Sequence, residues 1–505
     1  MELELRGITK RFPGVVANDD VNLTIRSGEV LALVGENGAG KSTLMNIMYG
    51  FYHADEGQIY VDGEPVTFTS PGDAIDAGIG MVHQHFMLVP VFTVAENVVL
   101  GVEPTGPLGY LERGKANKQV EEFSAQYGLE LDPKALIESL PVGIQQRVEI
   151  LKVLFRDAQI VVFDEPTAVL TPQEIEEFFK IVEALKESGR GIVFITHKLK
   201  EALRIADRIS VLRRGKTVGE ADPKEIDEVQ LAEMMVGRPV QLVVVKEVAD
   251  PGATALEVDQ LHVVDPTGRT LVDHVDFDVH VGEIVGVAGV QGNGQTELVE
   301  ALTGLRAALS GSVRLAGEDV TNESPRQVHA AAVGHIPEDR KRSGLVGDFS
   351  VAENMVLTSY YAEPYSKGIS MKWSVARDHS VDLVEQYDVR TPSIDTPAGT
   401  LSGGNQQKVI VARELSRELK LVIASQPTRG VDVGSIEYIH AQVVKARDEG
   451  AAVLLVSTEL DEVMALSDRI LVMFRGGIVA NLTRHETTHS EVGLYMAGAK
   501  EQQPT

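Results

Sequence analysis

The chain has 505 residues, 43% of them hydrophobic, a mean hydropathy of −0.01 and a formal net charge of −27. That length exceeds what one compact core fills, so at least two domains are predicted. Cysteine is absent, which excludes disulfides and cysteine-ligated zinc, and the acidic balance counts against a DNA or RNA binder, whose surface must be basic.

The polar, acidic opening "MELELRGITK" predicts no secretory leader. No run of 18 apolar residues occurs, so no bilayer span is predicted. The first landmark is Phe12 in "TKRFPGV", an aromatic at an early strand–turn junction. Its ring suits stacking on adenine, and ordinary core packing is the alternative.

"VLALVG" reads as a buried strand. Directly after it, "GENGAGKS" from Gly35 to Ser42 fits G-x-x-x-x-G-K-[ST] at every position, and "STLMNIMYG" then opens a helix. In such a loop the backbone N–H groups of Gly35, Glu36, Asn37, Gly38, Ala39, Gly40 and Thr43 can close around phosphates, helped by the helix N-terminus. Lys41 would reach the β- and γ-phosphates, and Ser42 would ligate Mg²⁺.

Further along, His83 and His85 flank Gln84. Two histidines at i, i+2 without a carboxylate make a weak metal pair, and a polar loop is the preferred reading. The stretch from about Thr93 to Leu140 is polar and mostly helical, which suggests an inserted helical subdomain. "IVVFDE" is the next buried strand and ends in two carboxylates. Asp164 can hold Mg²⁺ opposite Ser42, and Glu165 is placed to polarise an attacking water. "TPQEIEEFFKIVEALKESG" has helical periodicity and a terminal Gly. His197 follows another apolar strand in "FITHKL", a position suited to contacting a γ-phosphate.

The rest of the chain repeats this plan. "SGEVLALVGENGAGKSTLM" from Ser27 matches "VGEIVGVAGVQGNGQTELV" from Val281, an offset of 254 positions. Gln84 meets Glu338 at the same offset, and "TVAENVVL" and "ITHKLKEA" recur as "SVAENMVL" and "STELDEV". One unit of about 250 residues thus occurs twice. The join is expected near Val245 to Thr254, where charge gives way to Pro and Gly, and the terminal "KEQQPT" is expected to fray.

In this order the P-loop, "VHQ", "VFDEPT" and "ITH" resemble an ATP-binding cassette (ABC) ATPase, and "LSGGNQQKV" from Leu401 resembles that family's signature motif. The likeness covers nearly the whole chain twice over. It implies an α/β protein of two tandem P-loop cassettes, residues 1–245 and 246–505. Each would be a RecA-like α/β core with an antiparallel β subdomain and a helical subdomain. ATP and Mg²⁺ are the implied cofactors, with Gln84 joining Ser42 and Asp164 around the metal. The family pairs cassettes head to tail, so the P-loop of one shares its ATP with the signature of the other.

Sorted that way, one site is complete. The first half supplies Lys41, Ser42, Gln84, Asp164, Glu165 and His197, and the second supplies Ser402, Gly403, Gly404, Asn405 and Asp432. Asn405 replaces the usual Gln and keeps the amide. The other site gathers the defects. Gln295 replaces the P-loop Lys, although Gly289, Gly294 and Thr296 persist. Glu338 replaces Gln, Ser425 and Gln426 replace the two carboxylates, Glu459 replaces His, and Pro266 stands at the place of Phe12. Its signature is "LPVGI" from Leu140, and Thr171 stands where Asp432 does. Without counter-charges for the phosphates, that site is expected to hydrolyse nothing.

Two fused cassettes, one catalytic and one degenerate, resemble the ATPase subunits of bacterial simple-sugar and nucleoside importers. "GMVHQHFMLVPVFTVAENVVLG" and "GVQGNGQTEL" look nearer the nucleoside type than the ribose or galactose type. The resemblance implies a peripheral protein on the cytoplasmic face of the membrane. Its implied partners are two integral-membrane permease subunits and an extracytoplasmic solute-binding lipoprotein, with no nucleic acid. A monosaccharide importer is the alternative. A soluble tandem ATPase acting on ribosomes or DNA conflicts with the acidic charge and the degenerate site, and a non-catalytic scaffold conflicts with intact Glu165 and His197.

Overall fold

The computed structural model describes residues 1–500 except 84–85, 107–109, 168–169, 171, 242–243, 245 and 369. It divides between Val240 and Gln241, a few residues ahead of the predicted join. The reason is local. The Gln241 N–H donates to Glu437 Oε1 (3.0 Å), and Lys246 Nζ donates to the carbonyls of Leu466 and Ser467 and pairs with Asp468. The charged stretch that reads as a linker is therefore bonded to the second unit.

In the first unit, an antiparallel sheet has the order Val15–Arg26, Glu2–Phe12, Glu56–Val61, Glu64–Val66. A second sheet runs Lys216–Ala221, Arg208–Arg213, Val30–Val34, Gly191–Thr196, Ile160–Asp164, Ile79–Val82. Its strands are parallel except for the terminal hairpin. The strands Val30–Val34 and Gly191–Thr196 are buried at every position, because both faces of this sheet are covered. Alternate residues serve different cores. Leu31, Leu33, Ile160 and Val162 join the P-loop helix Lys41–Met48 and the antiparallel sheet. Val161, Phe163, Ile192 and Phe194 pack on Phe178 and Phe179 of helix Pro172–Glu187.

A separate helical cluster forms from Val94–Val99, Arg113–Gln126 and Val142–Phe155, around Val98, Val120, Val148 and Leu151. The first of these helices starts on a capping box, Thr93 with Glu96.

The second unit repeats the plan. Its antiparallel sheet runs Thr270–His280, Thr254–Val264, Ser310–Leu315, Glu318–Asp319. Its six-stranded sheet runs Val333–Ile336, Leu421–Ser425, Ala452–Ser457, Ile284–Ala288, Arg469–Phe474, Gly477–Thr483. Ser350 and Glu353 form the matching capping box. Among the described residues, no helix is long and apolar enough to cross a membrane.

Candidate ATP site

Register brings the first unit's chemistry together. Val34 pairs with Thr196, and Asp164 pairs with Ile195. The P-loop, the two carboxylates and His197 therefore leave the carboxyl ends of three adjacent parallel strands, where open α/β sheets bind ligands.

The loop from Gly35 to Gly40 turns tightly. The Ala39 N–H donates to the Glu36 carbonyl (3.0 Å), and the Gly40 carbonyl accepts from Leu44 N–H (3.0 Å). Gly40 has φ 103, and a Cβ there would meet the Ala17 carbonyl oxygen at 2.3 Å, so glycine is required. The Lys41 side chain is buried. Its Nζ donates to the carbonyls of Gly35 (2.6 Å) and Glu36 (3.0 Å). Burial lowers the ammonium's pKa, with Glu165 and Asp164 opposing. Ser42 is exposed beside it, and Thr43 is half-buried.

Glu165 sits in the left-handed region (φ 47), and its N–H donates to the Ile195 carbonyl (3.0 Å). His197 Nδ1 lies 2.9 Å from Glu165 Oε1. Burial alone would raise this carboxyl, but the His197 hydrogen bond and charge, then Lys41 and Lys198, hold it below the ordinary value. Asp164 differs. Burial first and the Glu165 charge second push it up to about 6, against the pull of Lys41. Adjacent carboxylates are thus split, one kept as a base and one left short of positive charge.

Asp164 therefore makes a testable demand on stability. Its folded pKa lies above the unfolded value, so the folded chain binds the extra proton and loses stability as pH rises through the window from about 4 to 6. At pH 7 ionised Asp164 costs roughly 3 kcal/mol at most. Asp164→Asn is expected to raise the unfolding temperature of the ligand-free chain at pH 7, with the gain vanishing towards pH 4. A variant less stable than the parent at pH 7 contradicts this charge balance.

Phe12 is partly exposed at the end of its strand and meets Tyr52 edge-on at 5.6 Å between centroids. It is not a core residue, and the Lys10 ammonium lies over its ring at 5.7 Å from the centroid. His83 packs against Tyr49 (6.2 Å, edge-on), and burial lowers its pKa. Gln84 and His85 lie outside the described residues.

The second unit keeps the frame and changes the groups. Gln426 has the same φ of 47, and its N–H donates to the Val456 carbonyl (2.7 Å). Gln407 reaches the Pro427 carbonyl at 2.8 Å, as Gln146 reaches that of Pro166 at 2.8 Å. Thr428 donates to buried Glu462 at 2.6 Å, as Thr167 does to Glu201 at 2.6 Å. The P-loop differs. Gly294 has φ 102, but buried Gln295 leaves its Nε2 without a hydrogen-bond partner where Lys41 makes two bonds. Such an orphan is unusual and costly. Thr296 Oγ1 donates to Glu338 Oε2 (3.1 Å), and Glu338 pairs with Arg429.

The signature starts helix Gly403–Leu415. Exposed Ser402 caps it, its Oγ accepting from the Asn405 N–H (3.5 Å) and also from Asn405 Nδ2 (2.9 Å), while Asn405 Oδ1 accepts from the Arg390 N–H at 2.8 Å. A Cβ on Gly404 would meet Ser435 Oγ at 2.1 Å and Asp432 Oδ2 at 2.6 Å. Asp432 in turn caps helix Val433–Asp448 through Ser435 N–H (2.8 Å). So Gly404 is required by its own cassette's turn, a packing reason that depends on a contact between distant segments. The first unit's Val142 is exposed where Gly403 is half-buried. Thr171 lies outside the described residues.

The ABC transporter family matches residues 18–168 and 272–429. The chain is 50% identical over 502 residues to the guanosine import ATP-binding protein NupO of Bacillus subtilis, covering 99% of this chain and 98% of that one. It is 49% identical to the nucleoside import ATP-binding protein NupA of Lactococcus lactis, covering 98% of each. It is 45% identical to the glucose import ATP-binding protein TsgD13 of Haloferax volcanii, covering 98% of this chain and 96% of that one. The solved archaeal ribosome recycling factor aABCE1, in complex with stalk protein aP1, aligns over 97% of this chain and 92% of its own with a TM-score of 0.62. At 18% identity that likeness is one of fold alone. Two cassettes with a common strand order, a P-loop and carboxylate pair at the strand ends, and full-length relatives at half identity place this chain in the ABC transporter family.

Proposed function

We propose that the chain is the ATP-hydrolysing, energy-coupling subunit of a nucleoside importer. The observation that carries this is full-length identity of 49–50% to nucleoside and guanosine import proteins, against 45% for a glucose and 41% for a ribose import protein. It works on the cytoplasmic face of the membrane, with two permease subunits converting cassette motion into transport and an extracytoplasmic lipoprotein delivering solute.

The Lys41 ammonium binds and orients the β- and γ-phosphates. Glu165 accepts a proton from the attacking water, and His197 fixes the Glu165 carboxylate and faces the γ-phosphate. Ser42 and Asp164 suit Mg²⁺: an exposed hydroxyl, and a carboxylate that burial and a neighbouring charge leave short of positive partners. Gln84 is the third proposed ligand. When bound, the ion supplies charge neutralisation for the phosphoryl oxygens. Phe12 offers its exposed ring to adenine. Ser402, Gly403, Gly404, Asn405 and Asp432 of the second cassette complete this site, so hydrolysis needs both halves.

The deciding experiment is uptake by cells or vesicles holding the chain with its permeases and solute-binding lipoprotein. Labelled guanosine is expected to enter in an ATP-dependent way and ribose is not. Ribose uptake without nucleoside uptake overturns the substrate assignment. Gln426→Glu is expected to leave steady-state ATPase unchanged. It restores one carboxylate while Gln295, Ser425, Glu459 and "LPVGI" remain, and groups that act as a unit are strongly non-additive. A doubled rate contradicts the single-site reading.

A further inference from the structure

The second cassette carries an arginine that the first lacks. Arg340 opens the helical turn Arg340–Gly344, directly after Glu338 and the capping Asp339. Its Nη1 donates to the Arg429 carbonyl at 2.6 Å and its Nη2 to the Gly430 carbonyl at 3.0 Å. Those carbonyls lie on the turn that leads into Asp432. The guanidinium also lies against the start of the signature helix. A Cβ on Gly403 would come within 2.8 Å of Nη2, and one on Gly430 (φ 65) within 3.4 Å. One planar fork thus bridges three segments distant in sequence: the loop after Glu338, the signature, and the turn before Asp432.

The internal repeat sharpens this. At the corresponding positions of the first half stand Phe86 for Arg340, Ala168 for Arg429, Val142 for Gly403 and Val169 for Gly430. The arginine and the two glycines that make room for it occur together in the cassette with the consensus signature, and are missing together from the other. The bridge also continues towards the degenerate P-loop, because Arg429 pairs with Glu338 and Glu338 accepts from Thr296. At the place of a metal-binding Gln, Glu338 has become an anchor for this network.

We propose that Arg340 is a positioning residue for ATP hydrolysis: by clamping the Arg429 and Gly430 carbonyls against Gly403, it fixes the signature and the Asp432 turn in the orientation that the first P-loop's ATP requires. The inference rests on the reading that the second cassette's signature serves the first P-loop. Arginine suits the task because its rigid, permanently charged fork can hold two carbonyls at once, whereas lysine offers a single flexible point of charge.

The test is steady-state ATPase on the full chain with its permeases, together with binding of a fluorescent ATP analogue to the unstimulated chain. Arg340→Ala is expected to lower kcat by about 10- to 100-fold, the size expected for losing a pair of charge-assisted hydrogen bonds. Nucleotide affinity should stay within about twofold, and Arg340→Lys should fall between parent and Ala. A kcat within twofold of the parent in Arg340→Ala overturns the proposal. If Arg340→Ala does not fold, Arg340→Lys decides: a severalfold kcat loss at parental affinity supports the proposal, and parental kcat overturns it. Ser402→Arg runs alongside to separate the two ideas. If Ser402→Arg is inactive and Arg340→Ala is not, only the Arg340 role falls. If Ser402→Arg turns over ATP normally, the shared-site reading falls and takes this inference with it.

Discussion

Lys41→Ala and Glu165→Gln are each expected to lower ATP turnover by about 10²–10³, or roughly 3–4 kcal/mol of transition-state stabilisation. The two should fail differently. Lys41 is the buried cation of the P-loop, with Nζ held by two loop carbonyls. Its removal takes from both carboxylates a cation that favours their charged forms, and from the β/γ-phosphates their counter-charge, so nucleotide affinity should fall too. Glu165→Gln keeps the side chain's size and its place beside His197 but removes the base. ATP should still bind, because the lost interaction belongs to the reaction and not to the ground state. Steady-state phosphate release with a nucleotide-binding assay separates these outcomes. Turnover within a few-fold of the parent in either variant defeats the assignment of the site.

Ser402→Arg is expected to abolish turnover, although Ser402 belongs to the cassette whose own P-loop is degenerate. The substitution replaces a small hydroxyl with a long cation at an exposed helix start, so it should leave the cassette folded. Gly404→Asp should abolish turnover as well, for a less specific reason: its side chain would be driven into Ser435 and Asp432. Ser402 is therefore the cleaner probe. Parental turnover in Ser402→Arg would mean that the halves do not share a site.

Much of this was legible in the sequence because its signals are local. Strand, glycine loop and Lys-Ser follow one another within "VLALVGENGAGKST", and the duplication supplied an internal control for each motif. The first helical subdomain is readable in the polar, helical stretch from Thr93 to Leu140, whereas the antiparallel sheets come only through resemblance, since register shifts interrupt the alternation of their strands. What stayed hidden depends on contacts between distant segments. The Arg340 fork reaches carbonyls 89 and 90 positions away, and backbone carbonyls leave no mark on a sequence. The Asp432–Gly404 contact requires two helix starts to abut, which neither helix's pattern records. Lys246 read as part of a charged linker, because nothing local shows that its ammonium meets Asp468. Even so, the missing signal was present in one form. Arg340 with Gly403 and Gly430, set against Phe86 with Val142 and Val169, is a difference between the halves that a position-by-position comparison exposes.

The left-handed backbone at Glu165 is repeated at Gln426, with φ 47 in both. In an enzyme, a strained non-glycine residue beside the reacting group invites the view that strain serves the reaction. Here the same angle persists in a cassette where Gln426, Ser425 and Gln295 stand in place of Glu165, Asp164 and Lys41. The angle is therefore a property of how this strand hands over to the next segment, through an N–H bonded to the neighbouring strand's carbonyl. The bend at this corner is thus set by the architecture, and in the first cassette it carries the carboxylate proposed as the base.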